Sequence, residues 1–258
     1  MRLMKRILSA AAVLALSASL LVGCSSGTAS SVPVSASSAA ESTVSSVEET
    51  ASSAVDENEA AAAQLLNDLT GSYQELWPVI LADEYKQTWL DDCTALVGEE
   101  NAEAAFEKLS SMVTSDVYGE DAVEAYANGG GAYFCGFTNS LATLTFDGET
   151  STISGTDKDG NVLFSHTYHY IGMEPVHGLY EFESDDADSG EFTYFFLAPD
   201  TSAETYHIEF RYGSDADALS QYDAGDYAYW VASGISTDCD QTMIDNCIEL
   251  FCTENLAD

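Results

Sequence analysis

Positive charge is nearly missing from this chain. Against 44 Asp and Glu stand 7 Lys and Arg, a formal net charge of −37, and Arg2, Lys5 and Arg6 use up three of those cations before the seventh residue. So acidic a surface excludes nucleic acid and bare anionic membrane as direct partners, because both repel it. It suits a protein that meets cations, or one that simply stays dispersed. Recognisable catalytic motifs are missing too. There is no Gly-x-Ser-x-Gly elbow, no His-Glu-x-x-His and no phosphate-cradling loop, and no pair among 44 acids stands out for glycoside chemistry. Nothing therefore points to an enzyme. The cysteine spacing matches neither a zinc finger nor a Cys-x-x-Cys pair.

What is present begins at the N-terminus. Behind the three cations the chain is apolar from Ile7 to Leu21, too short and too diluted with Ser and Ala for a membrane span, which is the layout of an export signal. It runs into Leu21-Val22-Gly23-Cys24, which resembles the lipobox of bacterial lipoproteins. That resemblance implies cleavage after Gly23 and acylation of Cys24, hence an extracytoplasmic protein held at the membrane through its lipid alone. Residues 24–60 are mostly Ser, Ala, Thr, Val and Glu with one Pro and no aromatic, so they lack the apolar surface to offset ordering entropy. They read as a tether that reaches roughly 30 Å as a random coil.

The folded part is expected over 61–258. Leu65, Leu66, Leu69, Tyr73, Leu76 and Trp77 recur at helical spacing inside a helix predicted over Glu59–Asp83 and interrupted by Pro78, and a second helix is predicted over Asn101–Val113. Past Gly129-Gly130-Gly131 come short aromatic and β-branched runs: Ala132–Phe137, Leu141–Phe146, Thr150–Ser154, Val162–Tyr170, Gly178–Glu183, Phe192–Leu197 and Tyr206–Tyr212. Asp147-Gly148, Asp159-Gly160 and Ser189-Gly190 supply turn residues between them. A helix over Asp240–Leu256 closes the chain. The expectation is a mainly β fold with flanking helices, an antiparallel meander closed into a barrel. Without Cys24, five cysteines remain (Cys93, Cys135, Cys239, Cys247, Cys252), an odd number, so at least one is unpaired or pairs with another chain; Cys247 and Cys252 read as core thiols.

Tyr73-Gln74-Glu75-Leu76-Trp77-Pro78, the run Tyr194-Phe195-Phe196-Leu197-Ala198-Pro199 followed by Thr205-Tyr206-His207-Ile208-Glu209-Phe210, and Tyr227-Ala228-Tyr229-Trp230 resemble the ZinT/YodA family of extracytoplasmic zinc-binding proteins. The resemblance implies a lipocalin-like calycin barrel, zinc held by histidines near its mouth, and a metal-import component as partner. Only His207 matches a family histidine. The other two positions carry Phe195 and Thr205.

Zinc needs three or four N, S or O ligands. On a strand, Thr205, His207, Glu209 and Arg211 share a face, so Glu209 becomes the second candidate ligand if that face points into the barrel. His177 is the third, at the head of a neighbouring strand. His166 and His169, three apart, fall on opposite faces. The competing reading makes His207 a buried histidine satisfied by Glu209, Thr205 or a carbonyl. Arg211 reads as one half of a structural ion pair, and the clusters 157–161 and 185–188 read as solvated turns, not calcium loops. Two functions stay open: a lipid-anchored protein capturing zinc or another divalent ion, or a metal-free barrel holding a small organic ligand or a protein partner.

Overall fold

The computed structural model describes residues 57–257. The export signal, Cys24 and most of the tether lie outside the described residues. Helix α1 covers 57–68, so the last four residues of the segment read as tether are already helical. Instead of continuing as one helix to Asp83, the chain turns at Thr70 into strand β1 (Gly71–Glu75), then resumes as α2 (Leu76–Ile80). The apolar spacing runs straight through this change. Leu65 and Leu69 use it on a helix, whereas Tyr73 uses the period of two and points into the barrel.

Helices α3 (Lys86–Val97), α4 (Glu99–Ser111) and α5 (Glu120–Ala127) follow. The meander comes next: β2 (Thr143–Asp147), β3 (Thr152–Thr156), β4 (Val162–Met173), β5 (Tyr180–Ser184), β6 (Tyr194–Leu197) and β7 (Ile208–Gly213). After a short helix α6 (Ala216–Leu219) come β8 (Ala232–Ser236) and the closing helix α7 (Gln241–Leu256), whose first turn is capped by the Asp240 carboxylate accepting from the Met243 N–H. Every neighbouring pair is antiparallel, and β1 pairs with both β2 and β8, so the sheet is a closed barrel of eight strands. Ala132–Phe137, expected as a strand, is irregular and makes only isolated bridges through Phe134 to Thr114 and Trp230.

Phe146, Phe164, Phe182, Phe195, Phe210 and Tyr212 form the interior with Leu144, Ile153 and Ile208, each no more than 4% exposed. Aromatic side chains therefore fill the space that would hold a ligand in an open lipocalin-like barrel. The Ala62, Leu65, Leu66 and Leu69 stripe of α1 joins this cluster. Gly148 permits that approach, because a Cβ there would stand 2.4 Å from the Asn67 Cα. Its role is contact, not a left-handed turn: φ is positive at Gly160 and Gly190 and, in the β2–β3 hairpin, at Ser151. A second core lies outside the wall, where Leu76, Ile80, Trp89, Cys93, Ile235, Ile248, Phe251 and Cys252 pack together. The Trp89 ring N–H donates to the Ile80 carbonyl at 2.7 Å within it. No described helix is long and apolar enough to cross a membrane.

Candidate functional site

Strand β7 alternates faces, and its parity decides where its polar residues go. Ile208, Phe210 and Tyr212 enter the interior cluster, so Glu209 and Arg211 turn to the outer surface of the wall. The face expected to point into the barrel points out, because the aromatic residues claim the inside. Over its first half the helices α2 and α7 close a small cavity of about 50 Å³, lined by Trp77, Asp200, Thr205, His207, Glu209, Cys247 and Glu254 among others.

His207 is the centre of this pocket. Tyr206, at φ 65°, bends the chain just before β7, and the His207 Nδ1–H donates to the Thr205 carbonyl at 2.7 Å. With that proton committed, Nε2 is the nitrogen that gives up its proton when the ring becomes neutral, and only then does it carry a lone pair for an ion. It faces the Glu209 carboxylate, with Oε1 3.9 Å away. The Cys247 sulfur stands 3.9 Å from Nδ1. Burial alone would lower the imidazole pKa, but the Cys247 sulfur, the Glu209 carboxylate and the Thr205 carbonyl reverse this and push it up to about 10. Burial raises the pKa of Glu209, with Asp200 and Glu254 adding to the rise and His207 opposing it. Asp200 is likewise raised, chiefly by burial. The pocket is thus a crowd of poorly hydrated acidic groups around one basic nitrogen.

Nε2 and Oε1 are spaced somewhat wider than two ligands of a tetrahedral zinc, which sit about 3.4 Å apart, so an ion between them needs a closure of about half an ångström. Among the described residues no group of three His, Cys, Asp or Glu already stands in metal-holding positions. The donors that share the cavity are His207, Glu209, Asp200, Cys247 and Glu254. The last three were not picked out from the sequence as ligands. Cys247 reads there as one more apolar helix residue, and Asp200 and Glu254 are two among 44 acids.

His177, the third expected ligand, is elsewhere. Its ring lies 3.6 Å from that of Tyr222 and its Nδ1 is 3.4 Å from Glu174, in a buried group that also holds Arg211. Glu174, fully buried, spends its carboxylate on the N–H groups of Val176 and His177, so His177 belongs to a closed loop and not to the pocket. Arg211 has Tyr222 across its guanidinium at 4.2 Å and donates to the carbonyls of Leu219, Gln221 and Tyr227. Its main partners are carbonyls and a ring, not the ion pair expected. Phe195, where the family resemblance places a metal histidine, is inside the barrel and packs on Tyr168 and Tyr212. It is separated from His207 by the wall. His166 and His169 do point to opposite faces of β4, and each bonds one of the exposed carboxylates of the 185–188 turn, Asp186 and Asp185, at 2.8 Å.

No family model matches the chain and no curated protein matches it. Among solved structures it is similar to the Zn(II)-bound ZinT-like domain of Streptococcus pneumoniae AdcA, at 14% identity and a TM-score of 0.45, over 71% of this chain and 89% of that one. It is also similar to Zn(II)-bound AdcA from Streptococcus pneumoniae, at 14% identity and a TM-score of 0.41, over 75% of this chain and 35% of that one. Independently of both likenesses, the chain's own strand order makes it a closed, eight-stranded antiparallel up-and-down barrel with flanking helices.

Proposed function

We propose that this protein is an exported lipoprotein, anchored through Cys24, that binds zinc or a related divalent ion in the pocket at His207. The observation that carries the reading is the orientation of the imidazole. Its Nδ1–H is tied to a backbone carbonyl, the arrangement by which zinc-binding histidines are commonly held, and Nε2 faces Glu209 across a cavity that Asp200 and Cys247 also line. His207 and Glu209 are the first two ligands, and the shell is completed from Asp200 and Cys247 by side-chain movement. A site that must close on its ion binds less tightly than one already formed, which suits capture and hand-over to a metal importer. The acidic surface raises the local cation concentration around it. The chain acts as a binder and not as a catalyst.

Isothermal titration of zinc into the full chain in detergent, beside His207→Ala, tests this reading, with bound metal counted by elemental analysis. One equivalent bound at micromolar affinity and lost in the variant is the expected result. Weak binding of several ions, identical in both proteins, would mean that only the acidic surface is being titrated, and the reading would fall.

A further inference from the structure

The five cysteines of the described residues are not equivalent. Cys135 is buried against Ser233 and Trp77, Cys239 is half-exposed, and Cys247 stands at the pocket. Cys93 on α3 and Cys252 on α7 are both fully buried in the outer core, and their sulfurs meet at 3.9 Å across a sequence separation of 159 residues. Among the described residues this is the one cysteine pair in sulfur contact.

We infer that Cys93 and Cys252 are the partners of a structural disulfide that ties the closing helix to α3. Both are free thiols in this structure, and bond formation requires the sulfurs to close from 3.9 Å to about 2.05 Å between two helices already packed together. The reaction is thiol–disulfide exchange with glutathione disulfide or an equivalent disulfide oxidant. One thiolate attacks a sulfur of the oxidant and expels one glutathione thiolate. The second thiolate then attacks the mixed disulfide and expels the other. Two protein thiols lose two electrons and two protons, and one glutathione disulfide becomes two glutathiones. Burial raises the pKa of both thiols in the folded chain, so exchange belongs to the folding stage, before α7 covers the site. Because α7 also carries Cys247 and Glu254, the bond fixes one wall of the pocket. The pairing itself stands whether or not that pocket takes a metal.

The test is to unfold the full chain with reductant in guanidinium chloride, then refold it by dilution into detergent with a glutathione and glutathione disulfide mixture. Free thiols are alkylated under denaturing conditions, and non-reduced digests are mapped by mass spectrometry. A linked peptide joining Cys93 to Cys252, with Cys135, Cys239 and Cys247 alkylated, is expected. Reduction should then lower the melting temperature by about 10 °C, since the bond closes a long loop, and Cys252→Ser should abolish both the linked peptide and the sensitivity to reductant. Alkylation of both Cys93 and Cys252 in the refolded wild type, or their linkage to other cysteines, would overturn the inference. The wild-type map decides the question even if the variant does not fold.

Discussion

Strand β7 and the residue before it carry two charged clusters on one outer face, centred four residues apart at His207 and Arg211, and their charges are met in different ways. At Arg211 the guanidinium donates to three backbone carbonyls and faces the Tyr222 ring, and Glu174 accepts from two N–H groups, while the Arg211 Nε, the His177 Nδ1 and the Tyr222 hydroxyl have no hydrogen-bond partner among the described residues. At His207 only the Nδ1 side is spent. Nε2, the Glu209 carboxylate, Asp200 and Cys247 share a cavity, with the acidic groups raised in pKa by burial. Buried charge bonded to backbone holds loops in place, whereas buried charge that meets mainly other side chains is costly and persists where a ligand completes it. The Arg211 cluster is a fastening for the 174–178 and 219–227 segments, and the His207 cluster is the place to look for cargo.

That contrast can be broken by experiment. The largest effect belongs to Arg211→Met, which strands three carbonyls and leaves Glu174 without its cationic neighbour. It should cost on the order of 3–5 kcal/mol in urea unfolding of the metal-free protein, and a loss within experimental error would show that the cluster fastens nothing. Glu209→Gln should instead weaken zinc binding by at least about tenfold in the same titration used for His207→Ala, because the amide is a poor substitute for a carboxylate ligand. If Glu209→Gln binds zinc like the wild type, the ion does not sit between Nε2 and this side chain.

A smaller effect of opposite sign is expected from Asp200→Asn. The raised Asp200 pKa means that its ionised form is disfavoured in the folded state, so removing the charge should stabilise the metal-free protein at neutral pH by up to about 1 kcal/mol. A lower melting temperature would contradict the strain assigned to the pocket.

The smallest effect concerns His177, whose pKa is lowered, mainly by burial, with Glu174 opposing and Arg211 reinforcing. A histidine with a folded pKa below its unfolded value lets the unfolded chain bind the proton first, so stability is intact above about pH 6.5 and falls as pH drops through that value. Melting curves between pH 7.5 and 5.5 should fall more steeply for wild type than for His177→Phe, which keeps a ring on Tyr222. Parallel slopes would remove His177 from the acid response.

Much of the barrel is legible in the residues because alternation is a local signal. The strands from β2 to β7 follow their aromatic and β-branched runs to within a few residues. The two strands that close the sheet are not legible. β1 hides in apolar spacing that also fits a helix, and β8 is Ala-Ser-Gly-Ile-Ser, whose small residues make no pattern. Ala132–Phe137 has the composition of a strand, yet its backbone only runs beside residues 229–233, the Ser233 N–H donating to the Cys135 carbonyl. Within the site, His207 and Glu209 are readable as neighbours on one strand face, but which way the face turns depends on Ile208 and Phe210 claiming the interior. Asp200, Cys247 and His177 depend on how distant loops and α7 fold back, and no local spacing encodes that.

Closure between β1 and β8 also sets an order on folding. Until Ser236 is in place β1 has no partner on its far side, so a partly folded sheet offers two bare edges to any other extended segment nearby. The protecting strand follows β2 to β7 in the chain, and α7 comes after it. A stall or truncation between β7 and β8 would therefore release a sheet with unpaired edges and an exposed aromatic interior, and its expected fate is aggregation.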